Sequence, residues 1–320
     1  MASSGAGGSL REIPVDKIDR NPENPRIHFR QQELDELAES IRRHGVQVPI
    51  SVYREGQRYV LIDGERRWRC SLKLNRSSIP AIVQEKPDPL TNLVLMFNIH
   101  ALREQWDLLT IAIKLPRVIK LYSHEKGTEP NERELSQETG LSRGTIRRCR
   151  LLMNLPEHHL DIINTELRKP KASQRITEDF YIEMERALSA VTRYMPESLP
   201  NEKAKERARQ VLLEKYREKT INNIVDFRKL SKIARAARVE ADTVAARDAL
   251  EQIFDRNKYS INDGYERSVS LAYQERDLLT HIQTLIADLR SYDVEEIDED
   301  VTSILRQLIE AAQDILEGGQ

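Results

Sequence analysis

Over residues 201–317 the chain has one glycine, Gly264, and no proline. The two residue types that most readily end helices or turn hairpins are therefore almost missing. Strong helix formers dominate instead. This part of the chain can only be a set of helices. Its apolar positions keep no sustained heptad, so the helices pack against one another rather than forming one long coiled coil. The last helix has a broad apolar stripe: Val301, Ile304, Leu305, Leu308, Ile309, Ala312, Ile315 and Leu316. Such a stripe usually packs within its own domain, and less often it is a dimer seam. The pattern alone leaves both open.

The front of the chain is different. Ile13, Val15 and Ile18 suggest a short opening strand. Leu34, Leu37, Ala38 and Ile41 recur at i, i+3, i+4 and i+7, one face of a helix that Gly45 would end. Ile50 and Val52 alternate as a strand, and Glu55-Gly56 turns into the apolar run 59–62. Residues 79–83 read as a further strand. Residues 105–170 read as helical. Asn131 and Glu134 have capping-box spacing, Gly140 closes that helix, Ser142 can cap the next, and Pro156 limits it. A short helix, a glycine turn and a second helix give a helix-turn-helix layout. The expected fold is an α+β N-terminal domain (10–104), an all-α helix-turn-helix domain (105–170) and an all-α C-terminal region (171–320), after a flexible leader (1–9). The C-terminal region would serve dimerisation or partner binding.

Composition narrows the function. Charged residues make up 32% of the chain and apolar ones 39%, polar for a globular protein but not disordered, and no apolar run is long enough to span a bilayer. Cys70 and Cys149 lie far apart, without zinc or disulfide-framework spacing, so a reducing cytoplasm is expected. The net charge of −2 hides an asymmetry. Residues 275–317 hold twelve Asp or Glu against three Arg, a local −9, which leaves +7 for the rest. A basic front can meet nucleic acid even in a nearly neutral protein.

Two clusters carry the chemistry. Asp63-Gly64-Glu65-Arg66-Arg67-Trp68-Arg69 joins a strand to an expected helix over 66–74. A glycine there lets the backbone approach a ligand, the helix N-terminus offers unpaired N–H groups, and the arginines add forked donors. This suits a polyphosphate; the alternative is a solvated basic helix paired with its own Glu65. The second cluster is the helix after Ser142. Ile146, Cys149 and Met153 share its buried face, Arg143, Arg147 and Arg150 lie on another face with Arg148 beside them, and no acid lies between Ser142 and Leu155. Ser142, Arg143, Thr145 and Arg147 are the expected base-reading residues, and Arg148 and Arg150 the phosphate contacts. An acidic protein partner is the alternative.

At this point the chain resembles the ParB/Spo0J/Noc family of chromosome and plasmid segregation proteins. The resemblance rests on Asn21-Pro22 and Asn24-Pro25-Arg26, on residues 37–41 with His44-Gly45-Val46-Gln47-Val48-Pro49-Ile50, on Gly64-Glu65-Arg66-Arg67-Trp68-Arg69, on Arg103-Glu104, and on Leu151-Leu152-Met153-Asn154-Leu155-Pro156-Glu157. It covers roughly residues 10–165. It implies a CTP-dependent clamp or switch on double-stranded DNA, a homodimer located at the nucleoid, and slow CTP hydrolysis. Carried over residue by residue, Gly64, Arg66, Arg67 and Arg69 would hold the triphosphate with Arg26 and Arg103. Gly45 and Gln47 would face the base, and Glu65 would position water or metal as the candidate catalytic residue. The next box departs from the family. The stretch Phe97-Asn98-Ile99-His100-Ala101-Leu102-Arg103 has no acid, which leaves Asn98 and His100 as the candidate ligands for Mg2+ or phosphate. Imidazole is a poor magnesium ligand. Two further readings stand beside this one. One is a helix-turn-helix transcription or replication regulator that uses no nucleotide. The other is a nuclease or phosphotransferase, for which paired carboxylates and a nucleophile–base pair are lacking.

Overall fold

The computed structural model describes residues 9–24, 31–98, 106–255, 258–291 and 298–318. The chain divides into two compact units, residues 1–186 and 187–320. The expected boundaries at 104 and 170 both fall inside the first.

The first unit opens with a sheet of five strands: β1 (Ser9–Pro14), β2 (Ile18–Asp19), β3 (Ile50–Glu55), β4 (Arg58–Asp63) and β5 (Ser78–Gln84). Their order across the sheet is β1-β5-β3-β4-β2. β1 runs antiparallel to β5, with Ile13 opposite Ile79, and β3 runs parallel to β5, with Ile50 opposite Ala81. β3 and β4 form an antiparallel hairpin, and β2 adds in parallel at the edge. The register of β3 against β4 shifts between Ser51 and Val52, beside Asp63. Such an irregularity re-aims the strand end that leads into the basic helix. Ser9 already pairs with Val83, so the sheet begins one residue inside the expected leader. The reading of one opening strand is corrected as well. Val15 lies in a 3-10 turn, Val15–Lys17, which separates two strands at opposite edges.

Apolar alternation explains the core. Ile13, Ile18, Ile50, Val52, Leu61, Ile79 and Ala81 form one buried cluster, against which Trp68 packs. Helix α1 (Gln31–His44) and helix α2 (Glu65–Lys73) bury a second cluster, Ala38, Ile41 and Cys70. Helix α3 (Pro89–Met96) follows, started by the Asp88 side chain accepting from the Thr91 amide.

Then come α4 (Leu108–Lys126), α5 (Glu132–Thr139), α6 (Arg143–Met153) and α7 (Glu157–Leu167). The capping box of Asn131 and Glu134 starts α5, and Gly140, at φ +71°, ends it. Ser142 caps α6 by accepting from the Thr145 amide. Ile146, Cys149 and Leu152 are buried on α6. Met153, expected on that face, is half-buried, and Leu152 takes the inner place because it falls three residues after Cys149. Burial pushes the Cys149 thiol up to about 12 and raises Cys70 as well. Both cysteines are free. Helix α8 (Glu178–Tyr194) runs across the division between the units.

The second unit is helical among its described residues: α9 (Glu202–Arg217), α10 (Asp226–Ala234), α11 (Thr243–Ile253), α12 (Ile261–Ser268), α13 (Ser270–Ser291) and α14 (Glu299–Leu316). Phe227, Leu230, Ile233, Ala246, Leu250, Ile253 and Ile261 form its interior. Lys215 is buried among them and donates to the carbonyls of Gln252, Ile253 and Tyr259, closing the C-terminal end of α11. The apolar stripe of α14 is exposed: Ile304 is 61% exposed and Ile315 77%. On α13, Leu278, Leu279 and Ile282 are exposed too. Packing within its own domain, the usual fate of such a stripe, is not what α14 shows. No described helix is long and apolar enough to cross a membrane.

Candidate nucleotide and DNA sites

The turn from β4 into α2 is built around Gly64. Its φ of +99° is left-handed, and a Cβ there would stand 2.5 Å from Cγ2 of the buried Ile50. Only glycine meets both conditions without strain. Gly64 is the N-cap of α2 and gives no side-chain cap, so no side chain of its own blocks the first amides of the helix. Trp68 anchors the helix by donating from Nε1 to the Val15 carbonyl at 3.2 Å.

The arginines of this helix are already engaged. Arg67 donates to the carbonyls of Val48 and Pro49, both at 2.6 Å, and to Asp63 at 3.1 Å. One guanidinium thus ties the 45–49 loop to the start of α2, joining two stretches singled out separately in the sequence. Arg66 reaches the Glu33 carboxylate at 3.5 Å. Arg69 pairs with Glu65 at 2.6 Å. Glu65 is 4% exposed and also meets Asn24 Nδ2 at 2.6 Å and Arg20 at 3.3 Å. Nitrogen donors of three residues thus surround this buried carboxylate. Gly45 ends α1 at φ +72°, and Gln47 is exposed, its amide donating to the His44 carbonyl. Asn98 is half-buried just beyond α3. Arg26, His100 and Arg103 lie outside the described residues.

Sequence reasoning missed Arg20, Asn24 and Glu33 as members of this cluster, and the pairing of Asp63 with Arg67. The available signal was the repeated Asn-Pro of residues 21–25. Asn21 is buried and donates to the Asn92 side chain at 3.0 Å, which fixes the turn that delivers Asn24.

On α6 the acid-free sequence does not mean an unpaired surface. Arg147 meets Glu132 of α5 at 3.0 Å, Arg150 approaches the same carboxylate at 4.0 Å, and Arg148 pairs with Asp179 of α8. Arg143 is exposed and makes no ion pair among the described residues. The Ser142 hydroxyl lies 2.9 Å from the Thr145 hydroxyl and accepts from its amide, so both are tied to the cap.

Several known proteins are similar to this chain. The family model described as the ParB N-terminal domain matches residues 1–98. The probable chromosome-partitioning protein ParB of Pseudomonas putida is 35% identical over 150 residues, covering 46% of this chain and 49% of that protein. A nucleoid occlusion protein of Bacillus thuringiensis is 30% identical over 218 residues, covering 62% of this chain and 72% of its own length. Among solved structures, the C-terminally truncated ParB of Caulobacter crescentus complexed with CTP-γ-S is 24% identical and covers 56% of this chain and 98% of that one, with a TM-score of 0.29. The chain spans about half the length of the first relatives it matches (49% and 50%). With the ParB N-terminal domain matched at its front and a nucleoid occlusion protein 30% identical over 72% of that protein's length, the chain belongs to the ParB/Spo0J/Noc family.

Proposed function

We propose that the chain is a DNA-binding switch of the partition type, with α5 and α6 as a helix-turn-helix and a nucleoside triphosphate, CTP, as the ligand of the α2 N-terminus. The observation that carries the nucleotide reading is the Gly64 turn. It sets an uncapped helix end beside the 45–49 loop, with Arg67 spanning the two. A triphosphate can take the helix amides directly. It can also compete with Glu33 and Asp63 for Arg66 and Arg67, loosening the 45–49 loop from α2. That exchange supplies a differential affinity between two arrangements, which a ligand needs in order to switch a protein. In this reading Arg66, Arg67 and Arg69 hold phosphates and Gly45 and Gln47 face the base. Glu65 is a positioning residue for Arg20, Asn24 and Arg69. The donors here do not fit magnesium: Glu65 faces nitrogen donors and Asp63 pairs with Arg67. No step is assigned to a metal.

Arg143 is the leading DNA contact, because among the described residues it alone of the α6 arginines is exposed without a carboxylate partner. Binding would move Arg147 and Arg150 from Glu132 to phosphate. The exposed apolar stripes of α13 and α14 are the proposed pairing surface of a homodimer.

One observation favours the reading without nucleotide: each arginine of the box is already satisfied internally. Calorimetry separates the two. CTP, ATP, GTP and UTP are titrated into the full chain, with and without DNA that the protein itself recovers. Measurable affinity for CTP, lost in Arg67→Ala with the thermal melt retained, supports the switch. No heat with any of the four, in either condition, leaves the regulator.

A further inference from the structure

The second unit carries a strip of positive charge that the helix-turn-helix reading does not use. From Phe227 to Val239 the sequence has no acid and five bases, four of them, Lys229, Lys232, Arg235 and Arg238, spaced by three. They lie along α10 and the 3-10 turn Ala236–Val239 that continues it. Phe227, Leu230 and Ile233 bury the opposite face, so the strip is fixed to a packed core.

Rings underlie the cations. The guanidiniums of Arg193, Arg235 and Arg238 stand 5.4, 5.4 and 4.6 Å from the centroid of Tyr194. Lys232 lies 4.6 Å from the Tyr273 ring and 5.6 Å from Tyr265, and Lys229 lies 5.3 Å from Tyr265. Ring faces stabilise each cation without neutralising it. Among the described residues, Lys232, Arg235, Arg238 and Arg193 have no carboxylate within ion-pair distance, and Lys229 donates to the Asn262 amide. On α6, by contrast, three arginines have carboxylate partners. Three guanidiniums gathered round one ring repel one another until an anion from outside joins them. Evenly spaced charges on a rigid helix suit a polymer of evenly spaced anions. The rings are covered by cations, so they offer phosphate contact rather than base stacking.

We propose that this strip is a second, sequence-independent contact for the backbone of duplex DNA. It does not depend on α6 being the recognition helix. The test is fluorescence anisotropy of the full chain on a labelled random-sequence duplex across a salt series. Removing two phosphate contacts by Arg235→Gln with Arg238→Gln lowers the salt slope by about two. At 0.1 M salt it weakens binding roughly 60-fold. Lysine at both positions restores the slope. Lys229→Gln with Lys232→Gln is the second pair should the first not fold, and the same loss is expected. Unchanged slope and affinity in a folded variant overturn the proposal. So does a change in self-association by sedimentation with DNA binding intact, which would make the strip a seat for the acidic C-terminal helices of a second copy. Arg143→Ala is measured alongside on the DNA the protein recovers. If it changes nothing while the α10 pair lowers the slope, the α6 reading fails and the strip stands.

Discussion

Gly64→Ala tests the geometry on which the nucleotide reading rests. Two penalties add. Alanine at φ +99° sits in a left-handed conformation at a cost of about 1–2 kcal/mol. Its methyl would also lie 2.5 Å from Ile50 Cγ2 and 3.0 Å from Ile50 Cβ, on a strand residue with no exposed surface. Ile50 can yield only by moving β3 or leaving its rotamer, and overpacking of that kind costs about 1–3 kcal/mol. The expected loss is about 2–5 kcal/mol. Gly56→Ala is the control: its φ is +61° and nothing lies within 4 Å of the added methyl, so only the first penalty applies. Both tryptophans, Trp68 and Trp106, belong to the first unit, so intrinsic fluorescence in a urea titration reports that unit. Equal destabilisation by the two substitutions would refute the claim that close approach to Ile50 demands glycine. Gly64→Ala should also abolish CTP affinity, because the helix end must shift to admit the methyl.

Four further substitutions have defined outcomes. Lys215→Met leaves the carbonyls of Gln252, Ile253 and Tyr259 without this donor and should destabilise the second unit by about 1–3 kcal/mol at pH 7, measured by calorimetric melting. Burial depresses the Lys215 ammonium from 10.5 to about 8. Between these values the unfolded chain keeps a proton that the folded chain releases, so stability should rise with pH across that window, and Lys215→Met should remove the rise. Burial raises the Glu178 carboxyl above its ordinary value; its folded form holds the proton to higher pH, so stability falls as pH rises through that region. Glu178→Gln should therefore stabilise the first unit at neutral pH and lose that advantage in acid, a pH series of melts being the check. Arg143→Ala should reduce discrimination between cognate and random DNA by about 1–3 kcal/mol with an unchanged melt. Arg148→Ala, which breaks the pair with Asp179, should lower the melt and leave discrimination intact.

The elements were legible wherever their causes are local. Asn131, Glu134, Gly140 and Ser142 mark the ends of α5 and α6 through contacts within a few residues, and the structure has those caps where the spacing puts them. Apolar alternation likewise marked β3, an apolar run marked β4, and residues 79–83 read as the strand that is β5. Gly64 and the basic helix could be read because a strand, a glycine and a helix start are consecutive.

The pairing of both arginine clusters could not be read that way. Glu132 lies 15 residues from Arg147, Asp179 lies 31 from Arg148, and Asn24 lies 41 from Glu65. Nothing in the local pattern tells which distant acid the fold will bring back to a given guanidinium. The stripes of α13 and α14 mark an apolar face in the same local way, but whether a neighbour covers it depends on packing. Local order thus determined helices, strands, caps and the kinds of residue at each site. Tertiary folding alone decided which charges are spent on one another and which remain for a partner, because ion pairs form across space between residues far apart in the chain.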